Sequence, residues 1–283
     1  MSELLEWIDP DGNTFDLQDR TEGVRVLLGL AGRDMPTVDF TDDAVPFQAG
    51  RRLRQVRYDA GEVGVPLLVE GDSQAQVRER MRRWASRFDP VRGDGRLRAG
   101  PRELVCRYVG GMEGAEAQAW PVGRRFVAVF RAFDPFWQDA DDRTEVFSSA
   151  DVTETFFSFP PLTLSPAATL GTVVVNNLGD AESWPVWAVD GPAGDVTFVN
   201  VTTGDTFTLE GVALGSGDTL TVDTRPGVKT VRDQNDNNLF GLRVPGSSLW
   251  PLVGGSQTVE VAATDTTADT QVRLSWRQRY LSA

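Results

Sequence analysis

The sequence predicts a mainly β protein with two domains, the first a β-sheet structure with one packed helix and the second an antiparallel β-sandwich. Three observations lead to this fold class. Apolar and polar residues alternate along most of the chain, which is typical of strands. One stretch near residue 80 has the helical period instead. Phe133-Asp134-Pro135-Phe136-Trp137 ends a strand and precedes polar and proline-rich residues, which indicates a joint between the domains.

The composition is that of a globular protein and disfavours binding to nucleic acid. The length of 283 residues suits about two domains. There are 28 Lys and Arg against 41 Asp and Glu, for a net charge of −13. Up to Ala140 the balance is 20 basic against 23 acidic residues (−3), and after it 8 against 18 (−10). Because phosphate binding needs clustered cations, we expect no sequence-specific nucleic-acid binding.

The usual catalytic residues are missing. The chain has no histidine, the commonest general base near neutral pH and the commonest metal ligand. Cys106 is the only cysteine and lies in a strand-like run, so we expect a core residue and not a nucleophile. There is no phosphate-binding or dinucleotide-binding glycine motif and no GxSxG. We therefore expect no enzyme, no catalytic residue, no cofactor and no metal, although paired carboxylates from distant strands stay open.

The N-terminal residues do not have the pattern of a targeting segment. Met1-Ser2-Glu3-Leu4-Leu5-Glu6-Trp7 has neither a basic start nor a long apolar region. No apolar run approaches the ~18 residues that suggest a membrane span. We expect no signal peptide and no membrane contact.

Strands and loops alternate in the first part of the chain. Residues 4–8 and the residues from Phe15 form a predicted hairpin around the turn-forming residues 9–13. Residues 24–28 are a predicted buried strand, and residues 42–50, which follow neither period, a protruding loop. Residues 54–58 and 63–69 have the strand period, with Pro66 near a sheet edge or a bulge.

The single helix is predicted from Asp72 or Ser73 to Asp89-Pro90. Ser73 with Gln76 has the spacing of a capping box, and the proline ends the helix. One apolar face is predicted to pack in the core, and it consists of Val77, Met81, Trp84, Ala85 and Phe88. Residues 104–108 and 124–133 supply further strands, separated by the glycine-rich loop 110–114.

The second domain is predicted from eight short strands separated by turn residues. Their number and spacing favour an antiparallel sandwich of jelly-roll or galectin-like type. The strands are residues 173–175, 186–189, 196–201, 206–209, 219–222, 228–231, 258–261 and 272–276.

Two features of the second domain could carry binding chemistry. Residues 233–238 alternate oxygen-bearing side chains as a calcium loop does, but lack its glycine and glutamate, so a hairpin tip is the favoured interpretation. Trp184, Trp187, Trp250 and Trp276 could form a sugar-stacking platform, but at strand positions tryptophans are more typical of a core.

Taken together, these segments resemble the distal tail protein family of long-tailed (siphovirus-type) bacteriophages. The resemblance covers nearly the whole chain and depends on the order and spacing of motifs that are individually of modest specificity. The first domain contributes the strand and helix order, the loop that ends at Gly50 before Arg51-Arg52-Leu53-Arg54, and Asp134-Pro135-Phe136-Trp137. The second contributes residues 171–185, Asn200-Val201-Thr202-Thr203-Gly204 and Leu220-Thr221-Val222-Asp223-Thr224.

The resemblance implies a non-enzymatic structural protein of the virion, at the distal end of the tail. Residues 1–138 would be a tail-tube-like β-sandwich that forms a hexameric ring, residues 139–170 a joint, and residues 171–283 a galectin-like β-sandwich. The implied partners are the tail tube protein, the tape measure protein, the tail hub protein and receptor-binding proteins, with DNA passing through the ring. Val253-Gly254-Gly255-Ser256 departs from the Pro-Gly-x-Asn that relatives often have.

A ring needs a contact between subunits, and the protruding loop is our choice for it. Phe47 is a possible anchor, and Arg51, Arg52 and Arg54 can pair with carboxylates of a neighbouring copy. The alternative function is a carbohydrate-binding protein that acts in host adsorption through the second domain.

Overall fold

The structure is a computed structural model that describes residues 4–112, 119–120, 123–148 and 167–283. It divides the chain into two compact units. The N-terminal unit contains Met1–Ala140 and Tyr280–Ala283, and the C-terminal unit contains Asp141–Arg279. The predicted mainly β fold class is confirmed, with antiparallel pairing in every sheet.

The N-terminal unit has one large sheet, a separate hairpin and one helix. In the large sheet the main path is β2-β1-β7-β8-β10-β6-β3; β9 pairs with β10, and β11 with β8 and β21. The hairpin consists of β4 and β5. The elements are β1 (Leu5–Ile8), β2 (Thr14–Asp16), β3 (Val24–Val26), β4 (Val38–Ala44), β5 (Arg51–Tyr58), β6 (Gly61–Glu70), α1 (Gln74–Arg87), β7 (Gly95–Ala99), β8 (Arg102–Gly110), β9 (Ala119–Trp120), β10 (Gly123–Ala132), β11 (Trp137–Asp139) and, at the far end of the sequence, β21 (Arg279–Tyr280).

The helix begins and ends where the sequence predicts. The Ser73 Oγ accepts a hydrogen bond from the Gln76 amide at 3.2 Å, and the Gln76 Oε1 accepts one from the Asp72 amide at 2.5 Å. Its inner face packs on the sheet through Val77, Met81, Trp84 and the capping residue Phe88, all buried. Ala85 is exposed, so its predicted place on this face is wrong. At 3.6 residues per turn it lies roughly 70° from the centre of the buried stripe.

An aromatic cluster forms the centre of this core. The Phe88 ring lies 5.5 Å from that of Trp7, 5.3 Å from that of Trp84 and 5.2 Å from that of Phe130. The Trp7 indole donates to the Arg87 carbonyl at 2.8 Å and so joins β1 to the end of the helix. Helix and sheet therefore share one buried interface.

Several predicted strands are correct, with changes at their ends. The first hairpin is β1 with β2, and the strand at 24–28 ends at Val26 and leaves Leu28 96% exposed. Pro66 lies in β6, between β10 and β3, opposite Val127 of β10 and one residue beyond the last pairing with β3, so its strand is not the edge strand. The loop predicted at 42–50 is in part wrong, because Asp42, Asp43 and Ala44 belong to β4.

The last residues of the sequence return to the N-terminal unit. The Arg102 guanidinium lies 3.7 Å from the centre of the Tyr280 ring and donates to the Ser282 carbonyl at 2.6 Å. The Ala283 amide donates to the Arg33 carbonyl at 3.0 Å. These contacts hold residues 280–283 along β8 and along the segment after β3.

The C-terminal unit has a five-stranded sheet in the order β12-β20-β14-β17-β18 and a four-stranded sheet in the order β13-β19-β15-β16. All eight strands predicted for this part of the chain are present, and β12 was not predicted. The strands are β12 (Arg143–Ser148), β13 (Ala167–Asn177), β14 (Val186–Asp190), β15 (Val196–Asn200), β16 (Asp205–Leu209), β17 (Thr219–Asp223), β18 (Thr230–Asp233), β19 (Gly255–Thr264) and β20 (Gln271–Trp276).

The position of β12 differs from the predicted organisation of the chain. It lies within the predicted joint 139–170 and pairs with β20 along all six residues, from Arg143 opposite Trp276 to Ser148 opposite Gln271. Only Phe147 and Ser148 are buried. An edge strand with so few buried residues has no clear apolar alternation, so the sequence does not reveal it.

Candidate subunit-binding hairpin

The hairpin of β4 and β5 is exposed on both faces. The two strands pair from Val38 opposite Tyr58 to Ala44 opposite Arg51, with a bulge between Thr41 and Asp42. All eight residues of β5 are exposed. Because an isolated two-stranded hairpin is only marginally stable in water, a surface of this kind is suited to contact with another molecule.

Three ion pairs link the arginines of β5 to the aspartates of β4 across the hairpin. Arg51 Nε lies 2.6 Å from Asp42 Oδ1, Arg54 Nε 2.5 Å from Asp43 Oδ2, and Arg57 Nε 2.9 Å from Asp39 Oδ2. The hydrogen bond that Arg51 donates to Asp42, together with the charge of that carboxylate, raises the pKa of the Arg51 guanidinium. Exposed pairs such as these contribute little energy each.

Of the four residues predicted for the contact, two thus pair within their own hairpin. Arg51 and Arg54 bind Asp42 and Asp43. Arg52 has no ion pair with any residue that the structure describes, and it is exposed. Phe47 lies at the hairpin tip with its side chain fully exposed, at 111% of the reference area. Its φ of 63° is uncommon for a residue with a side chain and turns the ring outward.

The base of the hairpin carries apolar residues that the sequence prediction missed. Phe40 and Val56 face each other across the strands and are 60% and 51% exposed. On the same face, the Tyr58 ring lies 5.3 Å from that of Phe136 and anchors the hairpin to the unit. The signal was available, because Val38 and Phe40 alternate with Asp39 and Thr41.

Large exposed apolar side chains are concentrated in the N-terminal unit. Of 18 such side chains among the described residues, 13 belong to this unit and 5 to the other. The four exposed aromatic residues, Phe40, Phe47, Tyr58 and Phe133, are all in it. Clustered exposed apolar residues mark interaction surfaces, so the N-terminal unit is the better candidate for assembly.

The other candidate sites do not form. Trp187, Trp250 and Trp276 are 2%, 3% and 4% exposed, so they are core residues, as the sequence favoured, and not a sugar-stacking platform. Trp184 is partly exposed, with the Lys229 ammonium 5.7 Å from its ring. Cys106 is buried, as predicted, and burial raises the pKa of its thiol, which disfavours the nucleophilic thiolate.

The acidic segment 233–238 is a turn, as favoured by the sequence. Asp233 Oδ1 accepts hydrogen bonds from the Asn235 and Asn237 amides at 2.9 and 2.8 Å, and Arg232 bridges to Asn238. Within the described ranges, no group of three or more acidic or cysteine side chains is placed to hold a metal ion. In the same ranges, no helix has the length and apolar character needed to cross a membrane.

Comparison with known proteins agrees with the resemblance seen in the sequence. Residues 178–280 match the family model of the siphovirus-type tail component, C-terminal domain. No curated protein sequence matches the chain. The Dit protein of phage SPP1, described as a paradigm of hub adsorption apparatus in phages that infect Gram-positive bacteria, is similar in structure, with a TM-score of 0.69 and 14% identity over 97% of this chain and 98% of that one.

Chains of the phage P2 baseplate, in its activated conformation, are more distant. The calcium form gives a TM-score of 0.53 with 9% identity, over 95% of this chain and 99% of that one. The strontium form gives 0.52 with 8% identity over the same shares of 95% and 99%. The resemblance seen in the sequence is thus matched by the family model over residues 178–280 and by the fold over nearly the whole chain.

Proposed function

We propose that this protein is a structural, non-enzymatic component of a bacteriophage tail tip, located in the virion at the distal end of the tail. Its N-terminal units form a ring of six copies that connects the tail tube to the baseplate hub and lets DNA pass. The proposal is supported by the tail-component match in the C-terminal unit and the shared fold with SPP1 Dit. The observation that carries it is the hairpin of β4 and β5, which exposes both faces.

Ring closure suits the way apolar surface is distributed. In a ring each copy makes the same contact with the next. An exposed element on each copy is therefore covered by the neighbouring copy all around the ring. The hairpin, with Phe47, Arg51, Arg52 and Arg54, is the element we assign to this contact. Phe47 is its anchor, because aromatic residues that become fully buried dominate interface energies.

The partners follow from the place of such a ring in a tail. The tail tube protein and the tape measure protein lie on one side of it, and the tail hub protein and receptor-binding proteins on the other. The net charge of −13 is compatible with a passage that does not retain DNA.

The first prediction tests the ring and the hairpin together. Rings of six copies should be visible by negative-stain microscopy of the purified protein, and mass photometry should give the matching mass. Combining Phe47→Ala with Arg52→Glu should shift the mass to that of the monomer without changing the melting temperature. The control combines Leu178→Ala with Lys229→Glu, two exposed positions in the C-terminal unit.

Two results would contradict these assignments. Rings that form as readily in the double variant as in the parent would remove the hairpin from the subunit contact. A monomeric parent that binds a host polysaccharide, with loss of binding on Trp184→Ala, would favour the alternative of a carbohydrate-binding protein.

A further inference from the structure

If the proposed ring exists, the hairpin must meet a different surface on the neighbouring copy. A cyclic ring of more than two copies joins unlike patches, because each subunit passes the same contact on to the next. The hairpin supplies one patch. The second must lie elsewhere on the N-terminal unit and must complement an exposed apolar tip next to an arginine.

A pocket after β3 has these properties. Its volume is about 240 Å³, and it is lined by Leu30, Ala31, Gly32, Arg33, Asp34 and Ala283. Polar atoms make up most of the lining. On either side of the pocket in the sequence, Leu28 is 96% exposed and Met35 60%. The pocket can therefore take a charged group, and the exposed Leu28 and Met35 side chains, two residues and one residue from its lining in the sequence, offer apolar surface.

The pocket is held in place by the surrounding backbone. The Ala31 amide donates to the Gly64 carbonyl at 3.1 Å, and the Gly64 amide donates to the Ala31 carbonyl at 3.0 Å. These two hydrogen bonds fix the segment to β6. Gly32 has a φ of 83° and lies so close to the Glu62 carbonyl that a Cβ atom would come within 1.9 Å of its oxygen. The Ala283 amide closes the other side through the Arg33 carbonyl. The site is therefore formed before any partner arrives.

The charged side chains of the pocket and of the hairpin indicate which group binds in the pocket. The Asp34 side chain is exposed and has no ion pair or hydrogen bond to any residue that the structure describes, and the same holds for the Arg52 side chain on the hairpin. The other charged lining residue, Arg33, has its Nε buried within the unit. The hairpin as a whole carries four arginines, at 51, 52, 54 and 57, against three aspartates, at 39, 42 and 43, on a unit that is otherwise acidic.

We propose that Arg52 of one copy enters the pocket of its neighbour and binds Asp34 there, while Phe47 packs on Leu28 and Met35. A planar guanidinium suits a polar pocket that presents a carboxylate, because it donates two parallel hydrogen bonds. The Phe47 ring needs apolar surface instead, and the two flanking side chains provide it. The inference rests on the proposed ring and names the surface that its hairpin meets.

The test is a charge exchange. Arg52→Glu alone and Asp34→Arg alone should each raise the protein concentration needed for half assembly by about thirtyfold or more, the loss expected when one partner of a desolvated pair is removed. The variant with both changes should assemble nearly as well as the parent. Arg52→Glu with Asp72→Arg is the control, since Asp72 is also exposed but lies at the start of the helix, and it should not restore assembly.

A cross-linking experiment separates this contact from the ring itself. Arg52→Cys and Asp34→Cys are made in separate chains, mixed and oxidised; Cys106 is buried and does not compete. A disulfide-linked dimer only in the mixture supports the contact between unlike patches. Rings without this cross-link and without charge rescue would overturn the docking while leaving the ring in place. A parent that never forms rings would overturn both.

Discussion

At the scale of single residues, the aromatic cluster of the N-terminal unit shows how much a pattern can reveal. The spacing of Val77, Met81 and Trp84 identifies a buried helix face, and the structure agrees. The partners of Trp84 come from elsewhere in the chain, with the Phe15 ring at 6.2 Å and the Phe88 ring at 5.3 Å. Periodicity identifies which side chains are buried, but the contacts between distant segments depend on the sheet order, which the sequence does not show.

Trp84→Ala should therefore destabilise the N-terminal unit strongly. Trp84 is 1% exposed, and removal of a large buried aromatic side chain costs about 3–5 kcal/mol. Thermal or urea unfolding followed by tryptophan fluorescence would measure the loss. Trp184→Ala, at a partly exposed position, is the matched control and should change stability little. Equal melting temperatures for the parent and Trp84→Ala would contradict the packing.

Asp9 gives a prediction for the dependence of stability on pH. Burial alone would raise its pKa, but hydrogen bonds from the Asn13 side chain and from the Asn13 and Asp11 amides outweigh it, so the pKa lies below the ordinary 3.8. A lowered pKa means that the carboxylate stabilises the folded state above pH 3.8 and that this contribution is lost as the pH falls through the folded value.

Asp9→Asn should thus lower the melting temperature at pH 7, and the difference from the parent should shrink as the pH falls below about 4. Asp19→Asn is a comparison at a more exposed turn, where hydrogen bonds from Thr21 also lower the pKa of the carboxyl, so its effect should shrink in the same direction as the pH falls. A difference that stays constant from pH 7 to pH 3 would show that the Asp9 charge is not involved.

At the scale of elements, the sequence predicts best where one face of a strand or helix is buried. The helix and the eight strands of the sandwich were predicted correctly because burial imposes a period of 3.6 or 2 on their residues. β12 has only two buried residues, so burial imposes no clear period on it, and it falls within the predicted joint. β4 has no buried residue, and its last three residues were assigned to the loop 42–50 although Val38 to Thr41 alternate. The candidate contact lies in the turn after β4 and in β5, and the pairing of Arg51 and Arg54 with Asp42 and Asp43 was not predicted because both aspartates were assigned to the loop.

At the scale of the whole molecule, the C-terminal unit should fold by itself only if β12 is kept. Phe147 of β12 is 1% exposed in the core of this unit. A fragment of residues 141–279 should be monomeric and β-rich by circular dichroism. A fragment that starts at Ala168, just before the predicted domain boundary at residue 171, lacks Phe147 and should be less stable by about 3–5 kcal/mol.

The comparison of the two fragments also tests edge protection. Without β12, the side of β20 opposite β14 has no partner strand, and an open edge favours aggregation. Size-exclusion chromatography should show aggregates for the shorter fragment. Equal stability and equal solubility of the two fragments would mean that β12 is not part of the folded unit.

The return of residues 280–283 to the N-terminal unit gives the chain a nested topology. The path leaves this unit after Ala140 and re-enters it at Tyr280, and β11 pairs with β21 at that point, so the two crossings lie in neighbouring strands about 5 Å apart. The C-terminal unit is thus an insertion in the sequence of the N-terminal unit, between residues 140 and 280. A short glycine linker from residue 140 to residue 280 should therefore remove the C-terminal unit without changing the path of the chain that carries the hairpin.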